Sequence, residues 1–366
     1  MIAIALTARP SYARVKTVLE GLRNHDLPFQ VLVSGGALLR DYGQIVDEVR
    51  DTFGSCVRTL VTVVAGDALE MGALSTAMAC DAYTRAFAAD RPSLVVAIAD
   101  RREVLGATIA ASYQGIPVLH LLAGERSGAI DDAVRGAITA LSTYQAVPHA
   151  LAANLVRRQL GDRAKVRVTG CPSYDLIARG LAGPPVTCAE LGGTGPILDL
   201  QVPFDVVLLH PDTRDLDASP AYAHVILESA IRPQVILWPG EDPGSQAIAK
   251  VYRQAQQIDP HARRHFVRHV PAERFYRLLG QATRLVGNSS VGVREATAIP
   301  GLEIVTVGHR QDDRVTWQQA DGQAGARVVE WLEEILHAVP DSRPGRLRAC
   351  PPQEYPALSA GRDDVA

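Results

Sequence analysis

"SLVVAIADRREVLGATIAASYQGIPVLHLLAG", Ser93 to Gly124, decides the fold. SLVVAIAD and IPVLHLLAG are short, largely apolar runs of strand length, and EVLGATIAASYQG between them has the length and composition of a helix. Strand, helix and strand in that order form a βαβ unit, whose two strands lie parallel in one sheet. The same alternation extends outward. Upstream lie IAIAL (strand), SYARVKTVLEGLRNH (helix), FQVLVSG (strand) and a long helix near Leu69 to Asp90. Downstream follow the helices DDAVRGAITALS and ALAANLVRRQLG and the strand KVRVTG. The alternation then stops: Leu181 to Pro203 is dense in glycine and proline and carries neither period, as a linker does. It restarts with FDVVLLHP, AYAHVILESAI, QVILWPG, SQAIAKVYRQAQQ, RHFVRHVP, AERFYRLLGQA, TRLVGNSS, VREATA, LEIVTVG and VVEWLEEILHAV. The expected organisation is α/β, with two doubly wound, Rossmann-like domains at 1–180 and 204–342 joined by the linker 181–203. A tail at 343–366 is expected to be poorly ordered at its end.

Length agrees, since 366 residues exceed the roughly 100 to 200 of one domain. A net charge of −3 provides no basic face for nucleic acid or anionic membrane, which points to a small-molecule partner. Positive charge is almost all arginine, the lysines being Lys16, Lys165 and Lys250. Cys56, Cys80, Cys171, Cys188 and Cys350 form no CxxC pair and are odd in number, so neither zinc nor a disulfide framework is expected, and no other cofactor. MIAIALTARP lacks the basic start and long apolar run of a signal peptide, and no stretch reaches the ~20 apolar residues of a membrane span. A reduced, cytoplasmic chain is the expectation.

In doubly wound sheets ligands bind outside the carboxyl ends of the strands. Those ends hold Thr7 to Arg14, Asp100 with Arg101, Glu125 to Asp132, Gly170 to Asp175, His210 and "VGNSSVGVREA", Val286 to Ala296. In the last, Ser289, Ser290 and Gly292 pass from a strand into a helix whose free N–H groups suit phosphate, although serine and asparagine also serve as plain helix caps. Arg9 could fork onto a phosphate or simply be solvated. Asp100 is a cap or a general acid/base. Asp131 and Asp132 suit the first turn of a helix for dipole reasons alone. His210 follows four apolar residues and precedes a proline, where an imidazole could titrate or donate to phosphate. His269 occupies a similar place.

Together these segments resemble the UDP-N-acetylglucosamine 2-epimerase family, in particular its hydrolysing branch from sialic acid synthesis. "TARPSYARVK", "ADRREVLGATIAASYQGIPVLH", "AGERSGAIDDAVRGAIT", "VTGCPSYDLI", "LLHPDT", "VGNSSVGVREA" and "VGHRQDDR" carry the likeness, from the first strand to about Arg314. The resemblance implies a GT-B architecture with a nucleotide sugar in the interdomain cleft, the sugar toward the first domain and the nucleotide on the second. It implies diphosphate on Ser289 and Ser290, ribose on Glu295, and further nucleotide or pyrophosphate contacts at Arg9, Arg101, Gly170, His210 and Arg310. Homodimers are common in such a family. Its chemistry is anti elimination of UDP across C1 and C2, followed by addition of water, and Asp100 and Asp131 match two of its essential carboxylates.

The third place, two residues after the histidine of IPVLH, is Leu122, which carries no proton. Ala37, Ile98, Gly136, Thr143 and Gln145 likewise stand where the family has histidines. Glu125 and Arg126, near the vacated position in sequence, are the candidate substitutes. The expected function is elimination or hydrolysis at the anomeric carbon of a nucleotide-activated amino sugar, with altered substrate or reaction. The alternatives are the unchanged epimerase reaction, a nucleotide-sugar-binding protein without activity, and a GT-B glycosyltransferase.

Overall fold

The computed structural model describes residues 1–338 apart from 65, 67, 129, 260, 313 and 318–320; the expected tail at 343–366, with Cys350, lies outside the described residues. Two parallel sheets organise the chain. The first joins β1 (Ile2–Leu6), β2 (Phe29–Val33), β3 (Val57–Thr59), β4 (Leu94–Ile98), β5 (Val118–Leu121), β6 (Tyr144–Val147) and β7 (Val166–Val168) in the order β3-β2-β1-β4-β5-β6-β7. The second joins β8 (Asp205–Leu208), β9 (Gln234–Leu237), β10 (Arg264–Val267), β11 (Arg284–Gly287) and β12 (Glu303–Thr306) in the order β10-β9-β8-β11-β12. Strand order reverses beside β1 in one sheet and β8 in the other. These are the switch points where a doubly wound sheet opens a crevice.

Central strands are apolar on both faces because helices cover both: every residue of β1 and β4 is buried. The quoted βαβ unit forms as read, with the helix Arg102–Tyr113 between β4 and β5, which pair Val95↔Val118 through Ile98↔Leu121. β3 is an addition to the sequence reading. It is three residues long and half exposed at the sheet edge, too short to show a period. VREATA, read as helix, is instead a single turn Ser290–Val293 followed by a 3-10 turn Glu295–Ala298.

The glycine- and proline-rich segment 181–203 packs along β10. Thr194 exchanges backbone hydrogen bonds with Phe266 at 2.9 and 2.8 Å, and Val186, Leu191, Leu198 and Leu200 are buried. The last helix, Ala324–Ala338, returns to the helix Lys16–Asn24 of the first sheet. Asp175 caps it, accepting from the backbone N–H groups of Ala324 (3.0 Å) and Gly325 (2.7 Å) and from Thr17 Oγ1 (3.1 Å). One apolar cluster therefore runs from Ile4 and Val96 through Val328 and Leu332 to Val206 and Leu285, tying the sheets together. Each such side chain contributes about 1.5–3 kcal/mol when fully buried. Among the described residues no helix is long and apolar enough to cross a membrane.

Candidate functional site

The carboxyl ends of both sheets face one cleft. Its first wall carries Arg9 and Arg14 after β1, Asp100 and Arg101 after β4, and Asp131 and Arg135 of the helix Ile130–Leu141. Opposite stand His210 after β8, Asp242 after β9, His269 after β10, Ser289, Ser290 and Glu295 after β11, and Arg310 and Arg314 after β12. Of the residues singled out in the sequence, Gly170, Glu125, Asp132, Leu122 and Gly292 do not line this cleft. Gly170 ends β7 in the left-handed region (φ 84°), its N–H directed to Val147 O.

β11 ends in Gly287 because a side chain there would collide with the carbonyl of Leu208 on the neighbouring strand. That close approach lets Asn288 clasp the end of β8. Its Oδ1 accepts from the His210 backbone N–H and its Nδ2 donates to the His210 carbonyl, both at 2.8 Å. Ser289 caps the following turn, Oγ accepting from Val291 N at 3.3 Å. The turn has four helical residues, so the dipole expected from a full helix is largely missing, and the hydroxyls and free N–H groups are what remain for an anion. Glu295 accepts from Ser173 Oγ at 2.9 Å through Oε1, while its buried Oε2 has no hydrogen-bond partner among the described residues.

Arginines cross the cleft. Arg9 donates to the backbone carbonyl of Arg268, and burial lowers its pKa to about 10. Arg101 donates to Asp242 Oδ1 at 2.6 Å and to Glu241 Oε1. Burial pulls the Arg101 pKa down, but Asp242, Glu241 and Glu103 together raise it well above its ordinary value. His210 departs from the sequence reading, which allowed it to titrate. Burial, then the nearby Arg310, lowers its pKa to about 3, so it is a neutral imidazole whose Nδ1 has no partner among the described residues.

The carboxylates differ sharply. Asp100 receives Arg135 Nη2. Asp131 has its pKa raised by burial and then by Asp242. Burial alone would raise the Asp242 pKa, but Arg101 and Arg310 outweigh it and hold Asp242 well below the usual carboxylate range. Asp132, adjacent to Asp131, is committed to the loop before its helix: it accepts from Ser127 N (2.7 Å), Ser127 Oγ (2.9 Å) and Gly128 N (2.9 Å). Glu125 is likewise committed. Its carboxylate meets Arg294 Nε at 3.3 Å, Trp317 Nε1 at 3.3 Å and Arg314 Nη1 at 3.8 Å. Although burial alone would raise its pKa, Arg294, Arg314 and Arg14 lower it. A carboxylate so held is a poor proton carrier, although Arg314, which it meets, itself lines the cleft.

Leu122 is fully buried in the apolar core with φ 67°, a left-handed conformation that a leucine rarely adopts; Ala99, at the end of the neighbouring strand, has φ 58°. Asp242 and Arg314 were not singled out in the sequence. Asp242, in "WPGEDPG", follows a strand end and was open to the same rule that found His210. Among the described residues no three His, Cys, Asp or Glu side chains converge to hold a metal ion.

The family model described as UDP-N-acetylglucosamine 2-epimerase matches residues 20–343. A UDP-N,N'-diacetylbacillosamine 2-epimerase (hydrolyzing) of Legionella pneumophila is 28% identical over 319 residues, covering 84% of this chain and 80% of the relative. A UDP-N-acetylglucosamine 2-epimerase of Neisseria meningitidis is 26% identical over 316 residues, covering 84% and 79%. The crystal structure of a UDP-GlcNAc 2-epimerase from Neisseria meningitidis bound to UDP-GlcNAc superposes with a TM-score of 0.69 at 15% identity, covering 91% of this chain and 99% of that one. The GT-B-like arrangement of two Rossmann-like units is thus shared.

Proposed function

Since the chain belongs to the UDP-N-acetylglucosamine 2-epimerase family, we propose that it cleaves a UDP-activated 2-acetamido sugar by elimination and hydration, with a substrate or outcome altered from UDP-N-acetylglucosamine. The observation that carries this reading is the convergence of Asp100 and Asp131 on one wall of the cleft opposite Ser289, Ser290 and Glu295 on the other. The domain over 204–342 holds the nucleotide, and the domain over 1–180 holds the sugar. Diphosphate sits on the Ser289 and Ser290 hydroxyls with Arg9 and Arg310, where forked donors suit phosphate oxygens. A ribose hydroxyl satisfies the orphaned Oε2 of Glu295. Arg101 and His210 border the pyrophosphate.

Asp100, ionised beside Arg135, takes the proton from C2 while the C1–O bond to UDP breaks; the C–H electrons form the C1=C2 bond of a glycal, and the bond to UDP leaves with its electrons on the diphosphate. Asp131, the carboxyl with the raised pKa, delivers its proton to the opposite face of C2 as water adds to C1, and recovers a proton from that water. Asp100 returns its proton to solvent. Asp242 stays ionised and offsets positive charge developing at C1. Leu122 supports a changed outcome: the place of a family carboxylate is filled by an apolar side chain packed in the core.

The test is incubation with a panel of UDP-sugars, including UDP-GlcNAc and UDP-N,N'-diacetylbacillosamine, in heavy water. UDP release with deuterium at C2 of the freed sugar is expected. UDP bound without release from any member would make the protein a binding subunit, and release without deuterium would exclude elimination. N-acetylmannosamine from UDP-GlcNAc at about 10 per second, a median enzyme turnover, would show that Leu122 leaves the family reaction intact.

A homodimer is part of the same proposal. Leu74 and Met78, one turn apart on the helix Glu70–Ala89, are both exposed, an apolar strip that a second copy would cover. Sedimentation should give a dimer for the unaltered chain and a monomer for Leu74→Glu/Met78→Glu; a monomeric unaltered chain would refute it.

A further inference from the structure

His120 is buried in the first sheet, on β5, and makes no contact with the cleft. Both of its ring nitrogens are nevertheless engaged. Nε2 lies 2.7 Å from the carbonyl oxygen of Ala99, and Nδ1 lies 3.0 Å from Thr139 Oγ1. Burial lowers the pKa of the ring to about 4, so it is neutral at working pH. One arrangement then satisfies both contacts: Nε2–H donates to Ala99 and Nδ1 accepts the Thr139 hydroxyl proton.

A buried histidine with two hydrogen bonds is ordinarily a core residue with its polar atoms satisfied. The identity of the partners argues for more. Ala99 immediately precedes Asp100 and has φ 58°, a left-handed conformation that costs a residue with a Cβ on the order of 1 kcal/mol and persists only where surroundings hold it. Its N–H is fixed to Leu121 O at 2.9 Å and its carbonyl is fixed to His120, so the peptide that leads into Asp100 has one orientation. Thr139 belongs to the helix that carries Asp131 and Arg135, and Arg135 in turn grips Asp100. From His120 the two hydrogen bonds therefore reach both elements that present the aspartates.

Resting on the function proposed above, we infer that His120 is a positioning residue that fixes Asp100 against Arg135 by clamping the left-handed Ala99 peptide and the Asp131 helix together. Misplacement of a reacting group by about 1 Å can cost on the order of 100-fold in rate. His120→Leu keeps the volume and removes both bonds, so kcat for UDP release should fall by about 100-fold, with KM and the UDP dissociation constant within about threefold. His120→Gln can donate to Ala99 and accept from Thr139, and should recover part of the loss. Ala99→Gly in the His120→Leu background removes the cost of the left-handed conformation, and should raise the melting temperature without restoring kcat.

A crystal structure of His120→Leu, determined beside the unaltered protein, should show the Asp100 carboxylate displaced from Arg135. Unchanged kcat, or an Asp100–Arg135 pair left in place, would overturn the inference. So would parallel loss of UDP binding and kcat in both His120 variants, the pattern of general unfolding. If the unaltered protein releases no UDP, the proposed function fails, while the crystallographic comparison still decides the role of His120.

Discussion

Asp100→Asn is expected to slow UDP release by about 10²- to 10⁴-fold while UDP binds as before. The substitution preserves shape and leaves an oxygen for Arg135 Nη2, which holds Asp100 at the end of β4. What it removes is the charge that accepts a proton. Steady-state kinetics and calorimetric titration with UDP separate these effects, because the proposed nucleotide seat is on the opposite wall with Ser289, Ser290 and Glu295. Asp132→Asn is the informative control. Asp132 accepts from Ser127 and Gly128 in the loop ahead of the helix and from Arg135 Nη1 at 3.1 Å, for which the amide keeps an oxygen, so the substitution should lower the melting temperature with a much smaller effect on kcat. Full activity in Asp100→Asn would remove Asp100 from the mechanism.

Much of this site was legible because strand ends are legible. An apolar run interrupted by a polar residue or glycine marks where a parallel strand stops, and in a doubly wound sheet that is where the crevice opens. Asp100, His210 and Ser289 were found by position before anything was known of their partners. What position could not supply was charge state. His210 was open to titration in sequence, yet burial beside Arg310 keeps it neutral. Asp131 and Asp132 are adjacent and chemically alike, and only the fold separates the one facing the cleft from the one tied to Ser127. Leu122 was legible as a substitution, but its left-handed backbone was not, since leucine has no sequence signature for φ 67°. β3 escaped because three residues hold no period. The clamp formed by His120, Ala99 and Thr139 depends on three separate elements meeting, which spacing along the chain does not encode.

Glu125 makes the same point most strongly, and its substitution has the second large expected effect. Near Leu122 in sequence, it was the natural substitute proton carrier. In the fold its carboxylate is bound by Arg294, Arg314 and Trp317, and Arg294 is completely buried. Glu125→Gln leaves that guanidinium without its main counter-charge. Breaking a buried pair in this way costs about 3–5 kcal/mol, read as a lower denaturant midpoint at unchanged slope. Double replacement, Glu125→Gln with Arg294→Met, should recover much of it, because neither member of the pair is then left charged without the other. The pair also sets a pH dependence. Glu125 has a depressed pKa in the folded state, so its contribution is present above the unfolded carboxylate value of about 4.3 and is lost as the pH falls through the lower folded value. Unfolding curves from pH 7 to pH 3 should therefore converge for Glu125→Gln and the unaltered protein at the acid end. Arg294 lies between the Ser289 turn and Glu295, so the loss should also weaken UDP binding by more than it lowers kcat. The opposite pattern, stability intact and kcat lost, would return Glu125 to the reaction as a proton carrier.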